Sequence, residues 1–567
     1  MSPAVVEGLL ALLGGIVLAV LTRRPQDLST AVAGADARDP VLLSWILAWP
    51  AHALTTADRL WDGNVFAPLD NTLAFSDPLL GYLPFGLVGE GPGAALVRFN
   101  LVHLFATALA FAGTWLLVRQ LGLGRTAALV AAVAFAVNPW RVSQINHLQV
   151  LSSGGIPLAL AMLARGHGLG LRTGARPVRP GWAFAGWVTA AWHFSIGPGL
   201  GLQLAYLLAI CTAVALVLAV RTGLRDRVWP TRRLVAADAT GMAVFLAAGL
   251  LLAMPFLQAV EDHPEARRVI EEVRLYSASP AALVTAPGDS WLWGRRSAEL
   301  REGVLGLNEK ALFPGAMVTA LAGVGLLAGS WTRRRRVVLA GSVVVLAVCA
   351  LGLTGPADGR YTYQLLYDHL PGWQGVRTPT RLVTTAWLGL VLLAAHGVTV
   401  LLSLLEDHRG RRGRPADRSA GVALSFALAA VVLLEGLDTA GLTPVRPPPQ
   451  SVSLRELPGS VLVLPSEDHL DQDVMRWSTD GFPQVVNGVS GFPPQLQLEL
   501  RDAAARLPDP TALERLRSEG VRSLVILPAL LPGTRYQQLD ISALAALPGV
   551  SVDVRGDAVV VYLGVTS

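Results

Sequence analysis

Lysine is almost missing from this chain: Lys310 is the only one in 567 residues, and arginine carries the positive charge. That bias looks like base composition and excludes no chemistry. Cysteine is nearly as scarce. Cys211 and Cys349 both fall inside apolar blocks, which excludes a disulfide framework or a cysteine-based metal site and says nothing of compartment. Charged residues make up only 15%, where soluble domains carry about 25%. Nothing in the sequence resembles a phosphate-binding glycine loop, a zinc spacing or a soluble nucleotide fold, and it has no internal repeat. An enzyme built from this chain would not draw its activated substrate from cytosolic nucleotides.

What the sequence has instead is apolar length. It is 52% hydrophobic with a mean hydropathy of +0.48, and the apolar residues come in blocks of about 17–25, the length that crosses a bilayer as a helix. The pattern predicts eleven spans, near 4–22, 93–118, 126–138, 148–165, 181–197, 200–220, 235–256, 314–330, 337–354, 382–404 and 419–437. A net charge of +5 and a pI near 9.5 do not point to nucleic acid, because the arginines cluster in short loops between those blocks. Basic loops (Arg119 and Arg125; Arg165, Arg172, Arg176 and Arg179; Arg221 to Arg233; Arg333 to Arg336; Arg409 to Arg418) alternate with longer segments rich in Asp, Glu, Pro and Trp. The positive-inside rule places the basic set in the cytoplasm. The expectation is a multi-pass plasma-membrane protein with a cytoplasmic N-terminus and segments 23–92, 257–313, 355–381 and 438–567 outside. Arg23 and Arg24 dissent, following the first span on its expected outer side. The first span lacks a basic n-region and a small-residue cleavage site, so it reads as a retained helix.

The outer segments hold the chemistry-bearing residues. Pro40 to Leu54 is apolar but too short to span, with Trp45 and Trp49 one helical turn apart, which predicts a helix lying in the membrane interface. Asp36, Asp39, Asp58, Asp62, Asp70 and Asp77 surround it, as solvated loop acids or as a reactive set. Asn138-Pro-Trp-Arg141 and His147-Leu-Gln149 place polar groups at a membrane boundary, for capping or for binding. Glu309 stands just before the span near 314. Arg377 and Arg381, four apart, would share one helix face and form a fork for phosphate or carboxylate oxygens, or pair with a loop acid. Beyond 438, a proline-rich linker (439–450) precedes short apolar strands at 461–464, 523–527, 550–554 and 558–562. Helical stretches are expected near 495–506, 511–519 and 539–546. This predicts a transmembrane domain over 1–438 and a small extracytoplasmic α/β domain over 451–567.

One ordered set of motifs resembles the GT-C glycosyltransferases, specifically their large bacterial members. The set is Asp39-Pro40 with Trp45 and Ala48-Trp49; Asn64-Val-Phe-Ala-Pro68 and Thr72 to Asp77; Asn138 to Arg141 with His147 to Gln149; Leu312-Phe-Pro-Gly315; Gly375 to Arg381; and Asn487-Gly-Val-Ser-Gly-Phe492. The resemblance implies a GT-C-like bundle. It implies sugar transfer from a polyprenyl-phosphate donor, usually with inversion, to a glycan, lipid or protein acceptor on the outer side. It makes an acid of the first outer loop the general base, matching Asp39. A carboxylate beside a membrane wall suits that task, yet Arg38 stands where the family has a small residue, which keeps Asp36 open as the base. By the same resemblance Asp77, Arg141, His147, Gln149 and Glu309 belong to the substrate site, and Arg377 and Arg381 meet the donor phosphate. Some relatives need a divalent cation and others do not; Asp36, Asp39, Asp77 and Glu309 offer oxygen ligands for one. The competing reading is a non-catalytic polytopic protein, a lipid-linked glycan transporter or a cell-envelope scaffold. A transporter would carry ionisable residues along its spans, where Asp238 and Glu435 are the acids noted, both near helix ends.

Overall fold

The computed structural model describes residues 3–23, 27–170, 177–227, 229–411 and 418–564. The loop arginines Arg24, Arg172, Arg176, Arg412 and Arg414 lie outside the described residues. Every apolar block forms a helix, as long runs without polar relief must when no water is at hand for the backbone. Among the described residues, seven helices are long and apolar enough to cross a membrane: Val5–Arg23, Gly91–Gln120, Arg125–Ser143, Leu148–Gly166, Pro198–Asp226, Arg232–Asp262 and Pro379–Arg409. The four other expected spans are helical too, at 13 to 18 residues (Pro180–Phe194, Ala316–Ala328, Arg333–Ala350, Arg418–Glu435). Arg333–Ala350 spends its first turn on four arginines.

The chain divides into two compact units. The first comprises Met1–Arg24, His103–Leu250 and Arg268–Ala440. Its core is a belt of alanine, valine and leucine in which the helix Arg125–Ala136 is almost wholly buried. The helices Ala316–Ala328 and Val383–Arg411 approach until backbones touch. A Cβ on Gly325 would lie 2.1 Å from the Leu393 carbonyl oxygen, and one on Gly397 2.0 Å from that of Leu321. In lipid, where apolar surface alone gives helices little reason to associate, such close approach is what packs them. The helices Pro198–Asp226 and Arg232–Asp262 are mostly exposed.

Two ion pairs order the first helix. Glu7 Oε1 accepts from Arg119 Nε at 2.7 Å, so the start of the first helix sits beside the end of Gly91–Gln120. At the other end the buried Arg23 meets Asp438 at 2.9 Å. Arg23, which dissents from the charge pattern, is therefore a buried pairing residue rather than a loop charge.

The second unit joins Pro25–Val102, Leu251–Arg267 and Gly441–Ser567. Strand β1 (Ala31–Ala33) pairs antiparallel with β2 (Leu442–Pro444), tying the first outer segment to the stretch after the last apolar helix. A four-stranded sheet follows, from β3 (Ser460–Leu464), β4 (Val521–Ile526), β5 (Val550–Arg555) and β6 (Ala558–Leu563), in the order β3-β4-β6-β5. Its first pair is parallel and the others antiparallel. The parallel pair needs a long crossover, which carries the helices Asp468–Trp477, Gln495–Ala505 and Pro510–Ser518. β5 and β6 turn through the two residues Gly556 and Asp557, with Gly556 at φ +51° as such hairpins require.

The helix Arg38–Thr56 corrects one expectation. Trp45 and Trp49 are 2% and 3% exposed and stack with centroids 6.4 Å apart, so they are core, not an interfacial stripe. Their indoles donate to Asn64 Oδ1 (2.9 Å) and to the Leu60 carbonyl (2.8 Å). Asn64 in turn donates to Ser478 Oγ and the Pro483 carbonyl, so the helix is clamped from the C-terminal segment. Asn487-Gly-Val-Ser-Gly-Phe492 is likewise structural. Asn487 is fully buried and bonds both ways with β3 at Val463, Gly488 leaves room for Phe66, and Phe492 packs on Phe75.

Candidate functional site

In the first unit the residues converge on Glu309. The short helix Leu307–Lys310 buries its carboxylate to 5% exposure. Arg381, in the turn Pro379–Leu382 that opens the helix Val383–Arg411, donates to Glu309 Oε1 through Nη2 at 2.6 Å and Nε at 3.2 Å. His147 Nδ1 lies 3.8 Å from the same oxygen and 2.9 Å from Gln144 Oε1. The Gln144 amide donates to the Asn308 carbonyl and reaches Glu309 Oε2 at 3.5 Å. Burial alone would raise the Glu309 pKa. The attraction of Arg381, then of His147, with the Arg381 hydrogen bond and the more distant Arg377, outweighs it and holds the carboxyl below its ordinary value. Glu309 is thus held as an anion, chiefly by Arg381.

Arg377 does not share a helix face with Arg381, because residues 376–378 are not helical. Its guanidinium meets Glu272 at 3.1 Å and lies over the Tyr276 ring, 5.3 Å from the centroid. Arg268 joins the same Glu272 oxygen at 3.3 Å. The expected fork is therefore two separate arginines, each set by its own acid.

Arg141 lies on the neighbouring short helix Pro139–Ser143. It is buried, donating to Ser153 Oγ at 2.9 Å and the Leu151 carbonyl at 2.8 Å, while Asn138 caps its helix by accepting from the Arg141 amide. These are backbone-holding roles. Gln149 is half-buried, and its side-chain oxygen has no hydrogen-bond partner in the described protein, nor has that of Asn146.

The second unit holds the aspartates. Asp36 accepts a two-armed contact from Arg38, with Nε at 3.1 and 2.8 Å and Nη2 at 2.5 Å, and also from the Arg38 amide. Asp39, half-buried, begins the helix Arg38–Thr56, where a carboxylate is favoured by the helix dipole. Its charge also acts on Arg38. Asp77 is half-buried just past the turn Thr72–Phe75. Among the described residues no three His, Cys, Asp or Glu side chains group as a metal site.

Sequence reasoning missed a fully buried charged network in this unit. Arg501 meets the fully buried Asp471 at 2.7 Å and Asp468 at 2.9 Å, with Asn487, Ser466 and Gln497 completing the network. Burial pushes the Asp471 pKa up despite these partners. A single arginine in a helical stretch gave no local signal of this. Arg98 was also passed over: buried within Gly91–Gln120, it donates to the carbonyls of Val88 and Gly89.

No family model matches the chain, and no curated protein matches it either. Solved structures similar to it include the arabinofuranosyltransferase AftD from Mycobacteria, at 16% identity over 99% of this chain and 40% of that one, with a TM-score of 0.49. The oligosaccharyltransferase AglB from Archaeoglobus fulgidus, in complex with an inhibitory peptide and a dolichol-phosphate, is 12% identical over 92% of this chain and 69% of that one, with a TM-score of 0.42. ArnT from Cupriavidus metallidurans is 15% identical over 99% and 98%, with a TM-score of 0.37. The chain spans about 40% of the length of AftD. At TM-scores below 0.5 the likeness decides neither the reaction nor the residues that perform it.

Proposed function

We propose that this membrane protein is a GT-C-type glycosyltransferase, taking a sugar from a polyprenyl-phosphate donor and passing it to an extracytoplasmic glycan, lipid or protein acceptor, with inversion. Asp39 is the general base. It takes the proton of the acceptor hydroxyl as that oxygen bonds to the anomeric carbon. The bond from that carbon to the donor phosphate breaks, and the phosphate leaves with the electron pair. Arg377 and Arg381 meet the charge that develops there. His147, Gln149 and Asp77 bind sugar hydroxyls, and Glu309 positions Arg381.

The observation that carries the choice of base is the division of labour around Arg38. The two-armed contact falls on Asp36, which fits an ion-pair role for Asp36, and Asp39, in the first turn of the helix Arg38–Thr56, is the acid that the sequence resemblance matches to the base. The two acids noted in the spans support this reading over a transporter. Asp238 accepts from His167 and Trp187, and Glu435 accepts from the Ala316 and Met317 amides, so both acids noted there hold helices together.

The test is transfer from a panel of labelled polyprenyl-phosphate sugars by the purified chain. Asp39→Asn is expected to lose about 10²–10⁴-fold, the usual contribution of a general base, with Asp36→Asn retaining most activity. Full activity in Asp39→Asn removes it from the mechanism, and loss confined to Asp36→Asn moves the base there.

A further inference from the structure

We infer that the tip of the exposed helix pair Pro198–Asp226 and Arg232–Asp262 is a binding surface for anionic phospholipid headgroups. Arg221, Arg225, Arg227, Arg232 and Arg233 are all exposed on it. Against these five arginines stands one acid, Asp226, 3.6 Å from Arg225, whose own side chain is 88% exposed. The tip also carries Trp229, 57% exposed but held in place: its ring lies where a Cβ on Gly223 would come within 2.5 Å of it. An indole pinned to the end of a lipid-facing helix lies at the depth of the headgroups, where tryptophan is enriched.

The two helices themselves are apolar and mostly exposed along their length, so acyl chains surround them up to this tip. Arginines at that level meet phosphate oxygens directly and give two donors to each. Charge complementarity therefore selects the occupant: a phosphate-bearing lipid with net negative charge rather than a zwitterionic one. This surface lies wholly in the first unit and does not depend on the proposed reaction.

The test uses the full chain in neutral detergent, offered equimolar phosphatidylglycerol and phosphatidylcholine, with retained lipid counted by mass spectrometry. The wild type is expected to retain phosphatidylglycerol several-fold over phosphatidylcholine. The quadruple change Arg225→Gln, Arg227→Gln, Arg232→Gln and Arg233→Gln is expected to bring the ratio near one, and the same number of changes at Arg333 to Arg336 is not. Should the quadruple variant fail to fold, the wild type alone decides. Its preference is expected to collapse in 0.5 M salt, where exposed charge is screened, and Trp229→Ala is expected to weaken it. Equal retention of the two lipids, or an unchanged ratio in the quadruple variant, overturns the inference. A second arm adds polyprenyl phosphate to the mixture, and retention of it with none of phosphatidylglycerol also overturns the inference, because the surface would then take the donor lipid instead.

Discussion

Arg38 has an acid on either side of it in sequence and grips Asp36 with both arms of its guanidinium, a pairing that composition does not reveal. A two-residue step lets the guanidinium fold back on Asp36, while Asp39 continues into the helix. The same logic governs Glu309, whose lowered pKa sets a sign for pH. A carboxyl held below its ordinary 4.5 contributes its full stability above that value and loses it as pH falls through the lower folded value. Thermal unfolding of the wild type is therefore expected to lose an increment below pH 4.5 that Glu309→Gln does not show. An identical acid limb in both proteins would contradict the buried ion pair. At neutral pH Glu309→Gln is also expected to reduce sugar transfer through misplacement of Arg381, read as a lowered kcat/KM that Glu309→Asp partly restores. Residue-level legibility was uneven. The motif residues His147, Glu309 and Arg381 do come together, because each sits at a helix end where an apolar run stops. Arg141 holds the Ser153 hydroxyl and the Leu151 carbonyl, and a buried arginine with such partners has the same sequence signature as one that binds a ligand.

Among the elements, the first helix shows how a buried charge fixes position. Arg23 and Asp438 are both nearly enclosed, and removing one partner leaves the other desolvated. Arg23→Ala is expected to cost about 3–5 kcal/mol, as uncompensated buried charges do, and the double change Arg23→Leu with Asp438→Leu to recover most of it. Detergent-phase thermal melts of the three proteins measure this. Helices were legible from run length because the membrane forces the backbone to satisfy itself, and any long apolar block has one solution. The tryptophan helix was misread for a related reason. A pair of rings one turn apart marks a helix face, and periodicity does not say whether that face meets lipid or protein. The deciding partners, Asn64, Leu60 and Ser478, come from elsewhere in the chain. The strands β3 to β6 fall on short apolar runs, whereas the helix Asp468–Trp477 was missed because its acidic first turn masks the apolar stripe.

For the molecule as a whole, the alternation of basic and acidic segments remains the source of orientation. Single cysteines placed at Pro230 and at Arg360 in a Cys211→Ser, Cys349→Ser background are expected to label from opposite sides of intact cells. Only position 360 should react with an impermeant maleimide added outside. Labelling of 230 from outside would invert the topology and move the proposed chemistry to the cytoplasm. The two-unit division was beyond any local window, since one unit collects pieces from the beginning, middle and end of the chain. The β1–β2 ladder turns this into a matter of timing. Ala31–Ala33 waits for Leu442–Pro444, and at about 5–20 residues per second of synthesis that interval is on the order of 20–80 s. Throughout it the helix bearing Asp39 exists without its later partners: Trp49 lacks Phe482, and Asn64 lacks Ser478. A chain ended before residue 441 would insert its helices and leave the aspartate on an unfinished, apolar and protease-sensitive strip. Damage beyond residue 441 would thus read out as loss of Asp39, some four hundred residues before it.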